Sequence, residues 1–167
     1  MFRDLASIPV LAKEGSIIPL SLNKGNGVAN PKELEILLYN GNGTFTMYED
    51  NEKDLLAKTN FKLEENDIIS LRFKVEGDTS FLPQTRNYKL SFKNVLNCSK
   101  YEIIIDGKSN VIEQKVEPLA TKTLEIELKD VTINSEVVVN VIDFNNKKEV
   151  HYVDHIVDIM GKWQKDN

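Results

Sequence analysis

Cysteine and histidine are scarce in this sequence, and their scarcity narrows the chemistry open to it. The 167 residues contain one cysteine, Cys98, and two histidines, His151 and His155. A single cysteine cannot form a disulfide within the chain, so we predict a reducing compartment or a fold that needs no bridges, with Cys98 a buried thiol. The two histidines lack the glutamate of H-E-x-x-H and a third ligand, and no G-x-S-x-G motif accompanies them. We therefore predict no catalytic residue, no metal and no cofactor in this chain.

Clustered positive charge and long apolar runs are also missing. Lysine and arginine number 21 against 26 acidic residues, the net charge is -5, and the basic residues are scattered singly. This distribution does not favour nucleic acid as a partner. No stretch approaches the ~18 to 20 apolar residues that cross a bilayer, and the N-terminus lacks the apolar core of a signal peptide. We expect no membrane partner, and a chain that is cytoplasmic or a piece of something larger.

Short segments in which apolar and polar residues alternate fill most of the chain. In one of them Leu71 and Phe73 alternate with Arg72 and Lys74, which is typical of a strand with one buried face. Turn signals separate the segments, and helical crossovers are missing between them. The predicted fold is all-β, an antiparallel β-sandwich. Its predicted strands lie near residues 34–39, 55–63, 68–75, 88–92, 101–105, 124–128 and 137–142.

The N-terminal region resembles the margin of a larger sheet. Residues 5–20 form two apolar runs divided by the polar residues 13–16. Pro9 and Pro19 restrict these runs to sheet edges or strand ends, because proline cannot donate to a strand ladder. The polar, turn-forming residues 23–33 predict a loop.

The stretch from residue 40 to residue 51 combines a glycine turn with a short alternating strand. Its sequence begins Asn-Gly-Asn-Gly. Asn-Gly pairs supply the positive φ angles of a two-residue hairpin turn, so we predict a hairpin here. Phe45 and Met47 should then share one face of the following strand, and Tyr48 should lie on the other.

Acidic residues follow this strand at positions 49–54. They do not match a calcium loop of the EF-hand type, because the sixth position from Asp50 is Leu55 rather than glycine. Glu49 and Asp50 are adjacent and point to opposite faces, so they cannot converge on a glycosidic bond as a catalytic pair. We interpret the segment as a charged turn that blocks edge-to-edge strand pairing.

The spacing of apolar residues along the sequence changes after residue 149. Apolar residues then recur at the three-and-four spacing of one helix face, and we predict an amphipathic C-terminal α-helix of about four turns. An exposed apolar face is unusual on a monomer, so this helix should dock on the sandwich or on another part of a parent protein. The apolar positions are Val150, Val153, Ile156, Val157, Met160 and Trp163.

Exposed aromatic side chains offer a further route to function, since sugar rings stack on flat aromatic surfaces. Most aromatic residues of this chain alternate with polar ones and are predicted to be core. Tyr48 and Tyr101 are the candidate contacts for an α-linked oligosaccharide.

Four segments resemble the C-terminal region of glycoside hydrolase family 31, the α-glucosidases and α-xylosidases. Residues 8–20, IPVLAKEGSIIPL, are similar to the segment that follows the catalytic barrel in that family, and residues 43–51, GTFTMYEDN, are similar to its second marker. Residues 85–90 and 104–108 resemble weaker features of its distal C-terminal domain. The sequence departs from the family at Asn51-Glu52, where Asp-Gly is usual, and the helix predicted after residue 149 is not a general family feature.

The resemblance covers roughly residues 5–149 and implies a region behind the catalytic barrel. Residues 1–42 would then be the last strands of the proximal C-terminal sandwich with a linker, residues 43–149 the distal sandwich, and residues 150–167 the helix. No catalytic residue carries over, because the family's catalytic aspartates lie on the barrel. The implied role is non-catalytic support of a parent glycosidase, with that enzyme's barrel as partner. A carbohydrate-binding module for α-glucans and a helix-mediated protein interaction element are the alternatives.

Overall fold

A computed structural model describes residues 12–23, 30–52, 54–95, 97–113 and 123–145 of the chain. These residues form ten β-strands, and no helix occurs among them. The all-β fold class is therefore confirmed for this part of the chain, whereas the predicted helix at 150–167 lies outside it. The strands are β1 (Ile17–Ser21), β2 (Glu33–Tyr39), β3 (Gly43–Asp50), β4 (Leu56–Glu65), β5 (Ile69–Gly77), β6 (Thr85–Lys93), β7 (Asn97–Ile105), β8 (Lys108–Glu113), β9 (Thr123–Thr132) and β10 (Val137–Asn145).

The strands form two sheets that face each other. One has the order β1-β2-β6-β9 and the other the order β3-β4-β5-β10-β7-β8. Neighbouring strands run antiparallel at every described pairing but one, since β2 and β6 are parallel, with Leu34 opposite Tyr88 and Leu38 opposite Phe92. The purely antiparallel prediction is wrong at that pair, because alternation reports which face is buried and not the direction of the neighbouring strand.

The hairpin predicted at residues 40–43 is also wrong. β2 and β3 belong to different sheets, so the segment carries the chain from one sheet to the other. Gly41 has a φ of 115°, a backbone conformation that favours glycine, as the prediction required. The positive φ serves a crossing between sheets here, and the strand that pairs with β2 comes from much later in the chain.

The core lies between the two sheets and confirms the predicted inward faces. Phe61, Phe73 and Tyr88 stack in sequence across it, with ring centroids 5.3 and 4.8 Å apart. Aromatic pairs at such separations add stabilisation beyond the area that they bury. Alternate residues of β5 and β9 complete this interior, among them Ile69, Leu71, Val75, Leu124, Ile126 and Leu128.

Strands from both sides of the boundary implied at residue 42 share one sheet and one core. Leu34, Ile36 and Leu38 of β2 are buried together with Phe92 of β6. β1 stands at one end of its sheet in the described part of the chain, and its Pro19 lies opposite Ile36, which confirms the edge position predicted for the proline-containing run. The preceding run, residues 5–11, lies outside the described residues.

The strand β8 was not predicted. Its sequence, KSNVIE, has only two apolar residues, so its alternation is too weak to distinguish from a turn. Pairing with β7 nonetheless holds it at the end of the six-stranded sheet.

The described residues contain no helix that could span a bilayer.

Candidate functional site

The two principal marker segments of the sequence pack directly against each other. Gly15 closes the turn that precedes β1, and its N–H donates hydrogen bonds to the backbone oxygens of Asn40 at 2.9 Å and Tyr39 at 3.2 Å. A Cβ atom on Gly15 would overlap the carbonyl oxygen of Asn42, and a Cβ on Gly43 would overlap the carbonyl oxygen of Gly15. Both positions therefore require glycine because two backbones meet there without room for a side chain.

A buried ion pair joins the second marker to the segment around residue 86. Arg86 donates two hydrogen bonds to Glu49, from Nη1 to Oε2 at 3.0 Å and from Nη2 to Oε1 at 2.8 Å. The arginine is fully buried, and Glu49 is 8% exposed. Glu49 lies on β3 and Arg86 on β6, so the pair ties the two sheets together through the interior. Bidentate geometry of this kind is among the stronger polar contacts in proteins.

The ion pair corrects the interpretation of residues 49–54 as a charged turn. Glu49 is the last inward-facing residue of β3, on the same face as Met47, and β3 itself ends one residue later, at Asp50. Sequence reasoning missed the pair although a signal was present. Glu49 continues the alternation of Phe45 and Met47, and Arg86 stands two residues before the inward-facing Tyr88.

The hydrogen bonds of this buried site hold its two charged side chains in one geometry. Both oxygens of Glu49 accept hydrogen bonds from Arg86, and this bidentate geometry fixes the two side chains against each other. Burial raises the pKa of the Tyr88 phenol, and the charge of Arg86 opposes that rise to a lesser extent. Arg86 Nε and Thr59 Oγ1 have no hydrogen-bond partner among the described residues. The arrangement forms a fixed contact between the two sheets.

The structure does not bring the two candidate sugar contacts together. Tyr48 is 67% exposed on the outer face of β3, whereas Tyr101 is 8% exposed and belongs to the core. Three strands, β4, β5 and β10, separate β3 from β7, which amounts to about 19 Å at the usual strand spacing. Desolvation raises the pKa of Tyr101. Of the two phenol rings, only that of Tyr48 presents a broad surface to a ligand.

A row of polar side chains crosses the sheet beside Tyr48. Thr46 donates to Asn60 Oδ1 at 3.1 Å, and Asn60 Nδ2 donates to Glu76 at 2.9 Å. Lys58, which lies opposite Tyr48 in the strand register, forms an ion pair with Glu76 at 3.3 Å. An exposed ring flanked by amide, carboxylate and ammonium groups supplies both the stacking surface and the hydrogen bonds that a sugar uses.

The remaining candidate chemistry is sparse in the described residues. They contain no group of three or more His, Cys, Asp or Glu side chains that could hold a metal. Cys98 is buried, as predicted, and its Sγ lies 3.3 Å from the carbonyl oxygen of Lys100. His151 and His155 lie outside the described residues.

In a comparison with solved structures, this two-sheet sandwich is similar in fold to a part of two enzymes. The α-1,4-glucan lyase of Gracilariopsis lemaneiformis, a covalent intermediate complex with 5-fluoro-idosyl-fluoride, aligns with a TM-score of 0.57 at 13% identity, over 76% of this chain and 16% of the lyase. The family 31 dextranase of Flavobacterium johnsoniae, complexed with glucose, aligns with a TM-score of 0.52 at 16% identity, over 77% of this chain and 19% of the dextranase.

These alignments confirm, at the level of fold, the resemblance to family 31 that the sequence indicates. This chain spans less than a fifth of either enzyme. No model of a protein family matches the sequence, and a search of curated proteins finds no match.

Proposed function

We propose that this chain is a non-catalytic C-terminal β-sandwich region of a family 31, α-glucosidase-like glycoside hydrolase, and that it supports the catalytic barrel of that enzyme. The observation that carries the proposal is the joining of the marker segments. The resembling segments 8–20, 43–51 and 85–90 meet through the contact of Gly15 with Gly43 and through the Glu49–Arg86 pair. The fold alignments, which cover most of this chain and a small share of each enzyme, support the same role.

The state of Glu49 is in keeping with a supporting role. Hydrolysis of a glycoside needs two carboxyl groups that converge on one bond at ~5 to 9 Å. The buried carboxylate of the marker segment is instead held by Arg86 on both oxygens. Its task in this proposal is to hold the sheets in register, so that the sandwich presents a rigid surface to the barrel.

The proposal can be tested by DNA sequencing and by biochemical assays. Sequencing of the DNA upstream of the coding sequence comes first, and we expect that DNA to encode a (β/α)8 barrel. Coexpression of that barrel with the full chain should yield a 1:1 complex whose α-glucosidase activity survives heating longer than that of the barrel alone. The purified chain should not release p-nitrophenol from p-nitrophenyl α-glucoside. Turnover by contaminant-free chain, or a barrel equally stable without it, would contradict the proposal.

A second candidate function is binding of an α-glucan at Tyr48. The exposure of this ring beside the polar row of Asn60 and Glu76 favours it. An amide NMR titration with maltose, isomaltose and a longer maltooligosaccharide should then give saturable shifts around Tyr48 that Tyr48→Ala abolishes. Leu56→Ala is the matched control, because Leu56 is also exposed, at 53%, and has no ring. Unchanged spectra of the unmodified, folded chain would exclude this function.

A further inference from the structure

The apolar core of the sandwich forms two separate clusters, and buried polar side chains lie where the clusters meet. Along β4, the inward-facing Thr59 stands between Ala57, which belongs to the smaller cluster, and Phe61, which belongs to the larger one. Thr59 is fully buried although it carries a hydroxyl group. The smaller cluster consists of Ala57, Val75, Leu82 and Ile133.

Arg86 enters the same part of the interior from the facing sheet. Its guanidinium binds Glu49, and Glu49 lies opposite Ala57 in the register of β3 and β4. Ala57 is the inward-facing residue that precedes Thr59 on β4. The far end of the Arg86 side chain is therefore held on one side of Thr59.

The ring stack of the core defines the other side of Thr59. Tyr88 follows Arg86 by two residues in β6, and its ring centroid lies 4.8 Å from that of Phe73. Phe73 is opposite Phe61, the inward-facing residue that follows Thr59 on β4. The stem of Arg86, which carries Nε, thus faces β4 at the level of Thr59.

Two polar atoms at this level have no protein partner in the described part of the chain. They are Nε of Arg86 and Oγ1 of Thr59, and both residues are fully buried. Buried polar groups are nearly always hydrogen-bonded, and an internal water is a common partner where protein groups supply none. A donor and a hydroxyl that face each other across the two sheets are a suitable pair of partners for such a water.

We propose that Arg86 and Thr59 bind an internal water molecule. The water accepts a hydrogen bond from Nε–H of Arg86 and donates one to Oγ1 of Thr59. Its second hydrogen is available to Glu49, because each carboxylate oxygen accepts one hydrogen bond from Arg86 and keeps a further lone pair. About three hydrogen bonds are usual for a buried water.

The water completes the hydrogen bonding of this polar layer. It holds the guanidinium at Nε, in addition to the contacts that Glu49 makes with the two Nη atoms. It also gives the hydroxyl of Thr59 a partner between two apolar clusters. This inference goes beyond the proposed function and does not depend on it.

Thr59→Val tests the site, because valine has nearly the shape of threonine and lacks the hydroxyl. If the hydroxyl binds the water, its loss leaves buried polar groups unsatisfied, and the urea midpoint should fall by about 0.5–1 M. If the hydroxyl has no partner, valine removes an unsatisfied buried group and the midpoint should rise. Thr44→Val is the matched control, because Thr44 is exposed on the neighbouring strand β3 and reports the effect of valine in a strand alone.

Oxygen-17 relaxation dispersion counts the long-lived internal waters of the full chain. We expect Thr59→Val to hold one such water fewer than the unmodified chain. Thr59→Ser keeps the hydroxyl and should retain the water. A high-resolution crystal structure of the unmodified chain should show the water within hydrogen-bond distance of Arg86 Nε and Thr59 Oγ1.

The proposal is overturned if Thr59→Val, after correction by Thr44→Val, has a urea midpoint equal to or above that of the unmodified chain. An unchanged number of long-lived waters in Thr59→Val overturns it as well. So does a crystal structure in which Arg86 Nε donates directly to Thr59 Oγ1, or in which no water lies between them. The crystal structure needs no variant, so it decides the question even if Thr59→Val does not fold.

Discussion

Removing one partner of the Glu49–Arg86 pair should cost a large share of the stability of the protein. Arg86 is fully buried and donates twice to Glu49, so Arg86→Met leaves an uncompensated carboxylate inside the sandwich. Breaking a buried ion pair in this way costs about 3–5 kcal/mol. The free energy of unfolding of a domain is about 5–15 kcal/mol in total, so the variant should lose a third or more of it.

Urea unfolding followed by far-UV circular dichroism measures this loss. With a denaturant slope of about 2 kcal/mol per M, a loss of about 4 kcal/mol lowers the urea midpoint by about 2 M. Glu49→Gln should show a decrease of the same order, because it leaves the buried guanidinium without an opposite charge and turns one of its two acceptors into a donor. The double variant Glu49→Leu/Arg86→Met should recover much of the loss, since an apolar pair of similar volume often replaces a buried ion pair without cost.

An exposed ion pair of the same chain serves as control. Lys58 and Glu76 are 3.3 Å apart on the outer face, with their side chains 46% and 48% exposed. Lys58→Met should change the free energy of unfolding by less than about 1 kcal/mol. If Arg86→Met costs no more than this control, the inter-sheet pair does not stabilise the fold and the reasoning is refuted.

Three further predictions concern the backbone contact, the core and a surface carboxylate. Gly43→Ala should lose about 1–3 kcal/mol in urea unfolding, because its Cβ would press on the carbonyl of Gly15, and an unchanged midpoint would argue against that close approach. Phe73→Ala removes the central ring of the core stack and should cost about 3–5 kcal/mol by the same assay; a loss below about 1 kcal/mol would contradict the packing. Hydrogen bonds from Ser135 Oγ and Glu136 N–H lower the pKa of Asp106, so Ser135→Ala should raise that pKa toward its ordinary value in a carboxyl NMR titration. A carboxyl group whose pKa is lowered by folding stabilises the fold at pH values above its unfolded-state pKa, and this contribution is lost as pH falls through its folded-state pKa. Acid should therefore destabilise the unmodified chain more than Ser135→Ala. Equal acid sensitivity of the two proteins would contradict this assignment.

The positions and inward faces of most strands could be predicted from the sequence. The alternation of Leu71, Phe73 and Val75 against Arg72 and Lys74 appears in the structure as buried and exposed faces of β5. This works because successive side chains of a strand point to opposite faces, so a period of two is a local property. The same logic failed at β8, whose two apolar residues carry too little signal.

The candidate site was only partly predictable. The exposure of Tyr48 could be predicted, because Tyr48 follows the inward-facing Met47 and so lies on the other face of β3. The core position of Tyr101 could not be predicted. Tyr101 is buried because it lies on the face of β7 that contributes to the core shared by the two sheets, and β7 itself pairs with β10 and β8. Which strands flank a residue is decided by pairing, and pairing is not encoded in the residues next to it.

The sequence by itself determined the all-β fold of the described residues, the faces of most strands and the marker segments that resemble glycoside hydrolase family 31, because each depends on residues close together in the chain. Only the tertiary structure decided that β2 runs parallel to β6, that residues 40–43 cross between sheets, and that Glu49 meets Arg86. These contacts join residues tens of positions apart, for which local periodicity carries no information. Each forms because burial of the shared core brings together backbones and charges that have no partner within their own segments.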